Sequence, residues 1–222
     1  MRNALHNPRA TNNATLVLTM LSACLVLLCG GAGQVSAQQP KAAARRDVAR
    51  TDVRPLRGFF AKLKQRVARG ELDPQQNFAI TVKTQRAKGG HFADFMFTAQ
   101  RGDAKSIAAA REFLAVLQQC QLLDALAEDA SKLILQLEAG DKDVIIRAAF
   151  TVSNEGRAQA LAADYGKLFQ TLAAARKSAA EAIFYENTKS LASAQELTIV
   201  SRLPRAALNS MLRGQTPVPF RG

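Results

Sequence analysis

An α+β fold, made of successive β-hairpin plus helix units forming antiparallel sheet with helices on one face, is predicted by three observations. Three pairs of strand-like segments, several of them with apolar residues alternating at a period of two, are each joined by a short turn. Each pair is followed by a stretch in which apolar residues recur every three or four positions. Each strand is apolar on one side only, so its helices have a single face to cover.

The first element is a helix over Arg54 to Arg69, with Leu56, Phe59, Phe60, Leu63 and Val67 on one stripe. Pro55 suits its first turn, where a missing N–H costs nothing, its outer face is basic, and Gly70 ends it. Phe78, Ile80 and Val82 then alternate with Thr81 and Lys83, Lys88-Gly89-Gly90 supplies a turn, and His91 to Ala99 returns as the second strand of a hairpin. Asp103 stands at an N-cap position, and Ile107, Ala110, Leu114 and Leu117 predict a helix to about Ala127.

The pattern then repeats. Leu133, Leu135 and Leu137 alternate with polar positions, Gly140-Asp141 turns the chain, and Val144, Ile146, Ala148, Phe150 and Val152 mark the returning strand. Ser153 or Asn154 caps a long helix with the stripe Leu161, Tyr165, Leu168, Leu172, Ala179 and Ile183 and a weak point at Gly166. A third, shorter unit follows: Thr188 to Ser193, a turn at Ala194-Gln195, a strand from Glu196 to Leu203, and a closing helix from Pro204 to Arg213. The pattern leaves open whether residues 54–214 form one sheet or two subdomains, 54–130 and 131–214. The spacing of the units is too irregular for a solenoid.

Both ends read as something other than fold. Residues 1–37 have the layout of a signal peptide: Arg2 and Arg9 without acidic residues, an apolar run from Ala14 to Leu28, and Val35-Ser36-Ala37 with small residues where a signal peptidase reads. The apolar run is shorter than the roughly 20 residues a membrane-spanning helix needs, which favours cleavage after Ala37 over an uncleaved anchor. Leu21-Ser22-Ala23-Cys24 is similar to a lipobox, but a cut before Cys24 would leave Leu25 to Leu28 on the product. Export to the periplasm is therefore expected, with lipid anchoring at Cys24 or secretion as alternatives. Residues 38–53 read as a flexible basic linker and 215–222 as a disordered tail. After cleavage Cys120 is the one cysteine left, so no internal disulfide can form.

Of a net charge of +12, eight units lie between Lys41 and Arg69, where ten basic residues face Asp47 and Asp52. Arg45, Arg46, Arg50, Arg54, Arg57, Lys62, Lys64 and Arg66 are the candidate binding residues for an anionic partner: an envelope protein, a cell-wall polymer or a lipid surface. A solvated, solubilising arm is the alternative. Nucleic acid is a poor match, because little aromatic interleaving accompanies these charges beyond Phe59 and Phe60, which more simply dock their helix.

Chemistry is sparse. His91 is the one histidine after Ala37, which excludes a two-histidine metal site, and Asp94 falls on the opposite face of its strand. Cys120 shares the core stripe with Leu117 and Leu123. Asp124, Glu128 and Asp129 gather at a helix end, Asp141 and Asp143 flank a turn, and Arg101-Gly102-Asp103 reads as a loop and a cap. No phosphate loop, zinc spacing or nucleophile elbow appears, so no catalytic residue, metal or cofactor is expected.

The segment from Leu56 to about Val152 resembles the C-terminal periplasmic domain of the TonB/TolA type. Gly89-Gly90 stands at its hairpin turn, Arg101-Gly102-Asp103 at its short loop and Ala108-Ala109-Ala110 in its alanine-rich helix. The match covers less than half of the chain: the loop lacks the family's serines, no Pro-rich spacer precedes it, and a further hairpin-helix block follows Val152. The resemblance implies a non-catalytic domain able to add an extended peptide to a sheet edge, and it carries over no contact residue. The functional expectation is an exported, non-enzymatic interaction module of the envelope. The alternative is a small-ligand or lipid-carrying domain with Phe92, Phe95, Met96 and Phe97 around a pocket, residues that would otherwise be ordinary core.

Overall fold

The computed structural model describes Asp52 and residues 54–175 and 179–213. The expected signal peptide, nearly all of the linker, with Arg45, Arg46 and Arg50, and the tail lie outside the described residues.

The chain forms three hairpins: β1 (Phe78–Arg86) with β2 (Phe92–Gly102), β3 (Lys132–Ala139) with β4 (Asp143–Thr151), and β5 (Thr188–Ser193) with β6 (Glu196–Pro204). Antiparallel ladders from β1 to β3 and from β4 to β6 join them into one six-stranded sheet, β2-β1-β3-β4-β6-β5. Register makes the alternation coherent across strands. Thr84, Leu133, Phe150, Leu197 and Ala192 form one row, and Val82, Leu135, Ala148, Ile199 and Ser190 the next. The apolar members of these rows face the helices. A row on the other face runs Met96, Lys83, Ile134, Ala149, Thr198, Leu191, and its two ends are the large hydrophobic residues left most exposed.

Over the first half lie α1 (Arg54–Ala68) and α2 (Ala104–Gln119). Phe59 and Phe60 of α1 meet Phe113 of α2 with ring centroids 5.7 and 6.1 Å apart, so these aromatics dock the helix. Asp103 caps α2 by accepting from the Ser106 N–H at 2.7 Å and its hydroxyl at 2.9 Å. The helix does not continue to Ala127. It stops at Cys120, Gln121 turns left-handed at φ 53°, and a separate short helix α3 (Leu122–Leu126) follows. In an unbroken helix Leu122 would stand about 100° away from Leu123 and off the stripe of Leu117 and Cys120. The break lets Leu122 and Leu123 both bury. Cys120 is buried with them, and desolvation raises its thiol pKa.

The second half is covered by α4 (Glu155–Ala175), α5 (Ala179–Glu186) and α6 (Arg205–Leu212). Of the two candidate caps, Asn154 accepts from the Arg157 N–H at 2.8 Å. Along the long helix expected through Ile183, α4 and α5 are helical up to Ala175 and from Ala179, and residues 176–178 lie outside the described residues. α4 runs through Gly166 without a break. Ser190 of β5 donates to the Ala162 carbonyl at 2.7 Å, holding α4 on that strand beside Gly166. The Tyr165 hydroxyl ties α4 to α3 by donating to the Leu126 carbonyl at 2.5 Å, and burial pushes its pKa up to about 12. One core cluster lies under α1, α2 and α3 and a second around Phe169, Phe184 and Met211, with Tyr165 and Ile199 packed against both.

Candidate functional site: an apolar cavity with a basic rim

Where the two groups of helices meet, they do not close. Between α1 and α2 on one side and α6 on the other lies a cavity of about 160 Å³, floored by Leu137, Ala139, Val144 and Ile146 of the central strands and by Leu203. Its existence follows from side-chain size. Ala109 and Ala110 of α2 and Ala139 of β3 stop short of Leu208 and Leu212 on α6, while Phe59, Phe60 and Phe113 hold the first two helices at a fixed height.

Several polar groups in the wall are hydrogen-bonded within the protein. Ser106 donates its hydroxyl to Asp103, and Gln76 Nε2 donates to Asp73 at 3.0 Å. Arg205 is 5% exposed and spends every N–H inside the protein. Nε donates to the Pro74 carbonyl at 3.2 Å, Nη1 to Asn77 Oδ1 at 2.9 Å and the Gly140 carbonyl at 2.5 Å, and Nη2 to the carbonyls of Pro74 and Gln76 at 2.7 Å each. Most of the lining is apolar and its most buried polar group, Arg205, is bonded internally, so the cavity is suited to an apolar occupant.

Leu72, Asp73, Pro74 and Leu212 are shared between this cavity and an outer cleft of about 580 Å³ bounded by Lys64, Gly70 and Arg213. The apolar space thus opens onto a basic rim. At about 100° per residue, the cations of α1 flank its apolar stripe on two sides rather than forming one outer patch. Arg57 and Lys64 lie on one flank, Lys62 and Arg66 on the other. Arg66 turns to Glu112 of α2 at 3.2 Å, Arg54 pairs with Asp52 at 2.8 Å, Arg57 and Lys62 are exposed, and Lys64 is half-buried in the cleft. Desolvation lowers the Lys64 pKa.

The aromatic set expected around a pocket is not assembled. Phe92 is core beneath the Arg86 guanidinium, Phe95 and Phe97 pack against the same core, and Met96 points to the opposite face, 56% exposed. Period-two geometry sends neighbours to opposite faces, so four consecutive-looking apolar residues cannot share one pocket.

His91 and Asp94 do not meet, but His91 Nδ1 lies 3.3 Å from Asp124 Oδ2. The other oxygen of Asp124 accepts from the Phe92 N–H at 2.7 Å and lies 3.6 Å from Arg86. His91 is 55% exposed at the end of the hairpin, and Asp124 fastens that hairpin to α3. Nothing in a sequence separation of 33 residues signals that pairing. Asp129 is similarly used by Arg157 at 3.0 Å, and Arg101 by Glu138 at 3.0 Å. Among the described residues, no group of three or more His, Cys, Asp or Glu side chains could hold a metal ion.

No family model, curated protein or solved structure matches the chain. Among the described residues, no helix is long and apolar enough to cross a membrane.

Proposed function

We propose that this protein is an exported, non-enzymatic carrier module of the cell envelope, which takes the apolar part of a small ligand into the cavity between α1, α2 and α6. The observation that supports it is a cavity of about 160 Å³ walled mainly by apolar side chains and opening to a wider cleft. A dry cavity of about 150 Å³ is large enough to bind a benzene-sized guest. Binding of an environment-sensitive apolar dye to the mature chain tests the reading. One dye per protein is expected. Ala110→Leu, which fills the cavity from α2, should weaken binding at least about tenfold while holding or raising the melting temperature. No dye binding by the wild-type chain, or equal binding by Ala110→Leu, would reject it.

A second reading, docking of the basic arm on an anionic envelope partner, is supported by the exposure of Arg57 and Lys62 beside Arg54. In-cell crosslinking of the full chain against a version with Lys41 to Arg69 neutralised at its exposed basic positions decides it. Loss of a defined partner supports docking, and an unchanged pattern assigns the arm to solubility.

A further inference from the structure

The rim of the cavity has a sign. Four charged residues line the cavity and the cleft: Lys64, Arg205 and Arg213 are cationic and Asp73 is anionic. Two of them are hydrogen-bonded within the protein, though Asp73 keeps its negative charge. Asp73 accepts from the Gln75 N–H at 2.9 Å and from Gln76, and Arg205 is consumed by carbonyl oxygens. Carbonyls at the C-terminal end of α1 accept from the N–H groups of Gly70, Glu71 and Leu72. Lys64 and Arg213 face the same cleft from α1 and from the end of α6 and outnumber Asp73, whose carboxylate pKa is lowered by the Gln75 N–H, by Gln76 and by Arg213, so the cleft keeps a net positive charge.

We propose that the ligand is a single-chain amphiphile whose anionic oxygen head is held between Lys64 and Arg213 while its apolar chain enters the cavity. The inference rests on the carrier reading above and adds the class of ligand. A space of about 160 Å³ takes the end of one chain and not two, which excludes a two-chain lipid seated in full. The cleft outside it has room for a head group, and the guanidinium of Arg213 suits a carboxylate or phosphate because its donors form a planar fork. Partial burial disfavours the charge on Lys64, as its lowered pKa reflects, and a further anion beside it would offset that cost.

Competition against the apolar dye on the mature chain tests this with decanoate, decyl phosphate, decanol and decylammonium. The two anions should displace the dye at concentrations at least about tenfold below decanol, with decylammonium weakest. Their relative strength distinguishes a carboxylate head from a phosphate head. Lys64→Gln and Arg213→Gln should each reduce the advantage of the anions and leave decanol unchanged, a comparison that a merely destabilised variant would not reproduce. Equal displacement by decanol and both anions would overturn the head-group assignment and leave the carrier reading standing. Failure of the chain to bind the dye or decanol would overturn both.

Discussion

Arg205 carries a full charge at 5% exposure, and its neighbours in space come from 65 to 131 residues away in sequence. Its fork pins the segment of Pro74 and Gln76 to the β3–β4 turn and to the start of α6, and so builds one wall of the cavity. Removing it would leave three part-buried carbonyls without this donor, at a cost of up to about 1–3 kcal/mol each. Arg205→Met is expected to lower stability by about 3 kcal/mol or more. Arg205→Lys should recover only part, because an ammonium cannot span the same fork. Chemical denaturation of both variants measures this, and a loss under about 1 kcal/mol for Arg205→Met would deny the residue its clamping role. In the sequence it is an arginine after a proline at the start of a short helix, indistinguishable from a surface residue. Asp124 was no more legible, since its three partners belong to a hairpin more than thirty residues upstream.

Among the elements, the junction between β2 and α2 is the most constrained. Gly102 has φ +102°, and a Cβ there would lie 2.2 Å from the Asn77 carbonyl oxygen and 2.6 Å from the Phe78 Cα. Backbone atoms cannot yield as a flexible side chain can. Gly102→Ala should therefore cost at least about 2 kcal/mol, from the clash and the left-handed backbone together, with a matching fall in melting temperature. A neutral result would mean the turn has another conformation. The hairpins and the boundaries of the third unit were readable because alternation and turn residues are local signals. The end of α2 was not. Cys120-Gln121 contains neither Gly nor Pro, and the break arises because two adjacent leucines compete for one buried side.

At the scale of the molecule, the joining of three hairpins into one sheet decides how it unfolds. The ladders from β1 to β3 and from β4 to β6 cross between hairpins, and Tyr165 and Ile199 touch both core clusters. Neither cluster can open without exposing side chains of the other. Urea unfolding followed by far-ultraviolet circular dichroism and by tyrosine fluorescence should give coincident single transitions. Two resolved transitions would identify independent halves at 54–130 and 131–214. The cavity belongs to this scale as well, since its walls come from four helices or loops and its floor from three strands.

From the sequence alone come the α+β class, the three hairpins, the capping roles of Asp103 and Asn154 or its neighbour, and the burial of Cys120. Each of these depends on residues a few positions apart, whose periodicity and backbone preferences act before any tertiary contact exists. The tertiary structure alone decided that the hairpins share one sheet, that Arg205 is a buried clamp, and that alanines on α2 and β3 leave a cavity facing Lys64 and Arg213. Those outcomes rest on which faces meet after the chain has folded back on itself, and on side-chain volumes compared across segments that no local pattern relates.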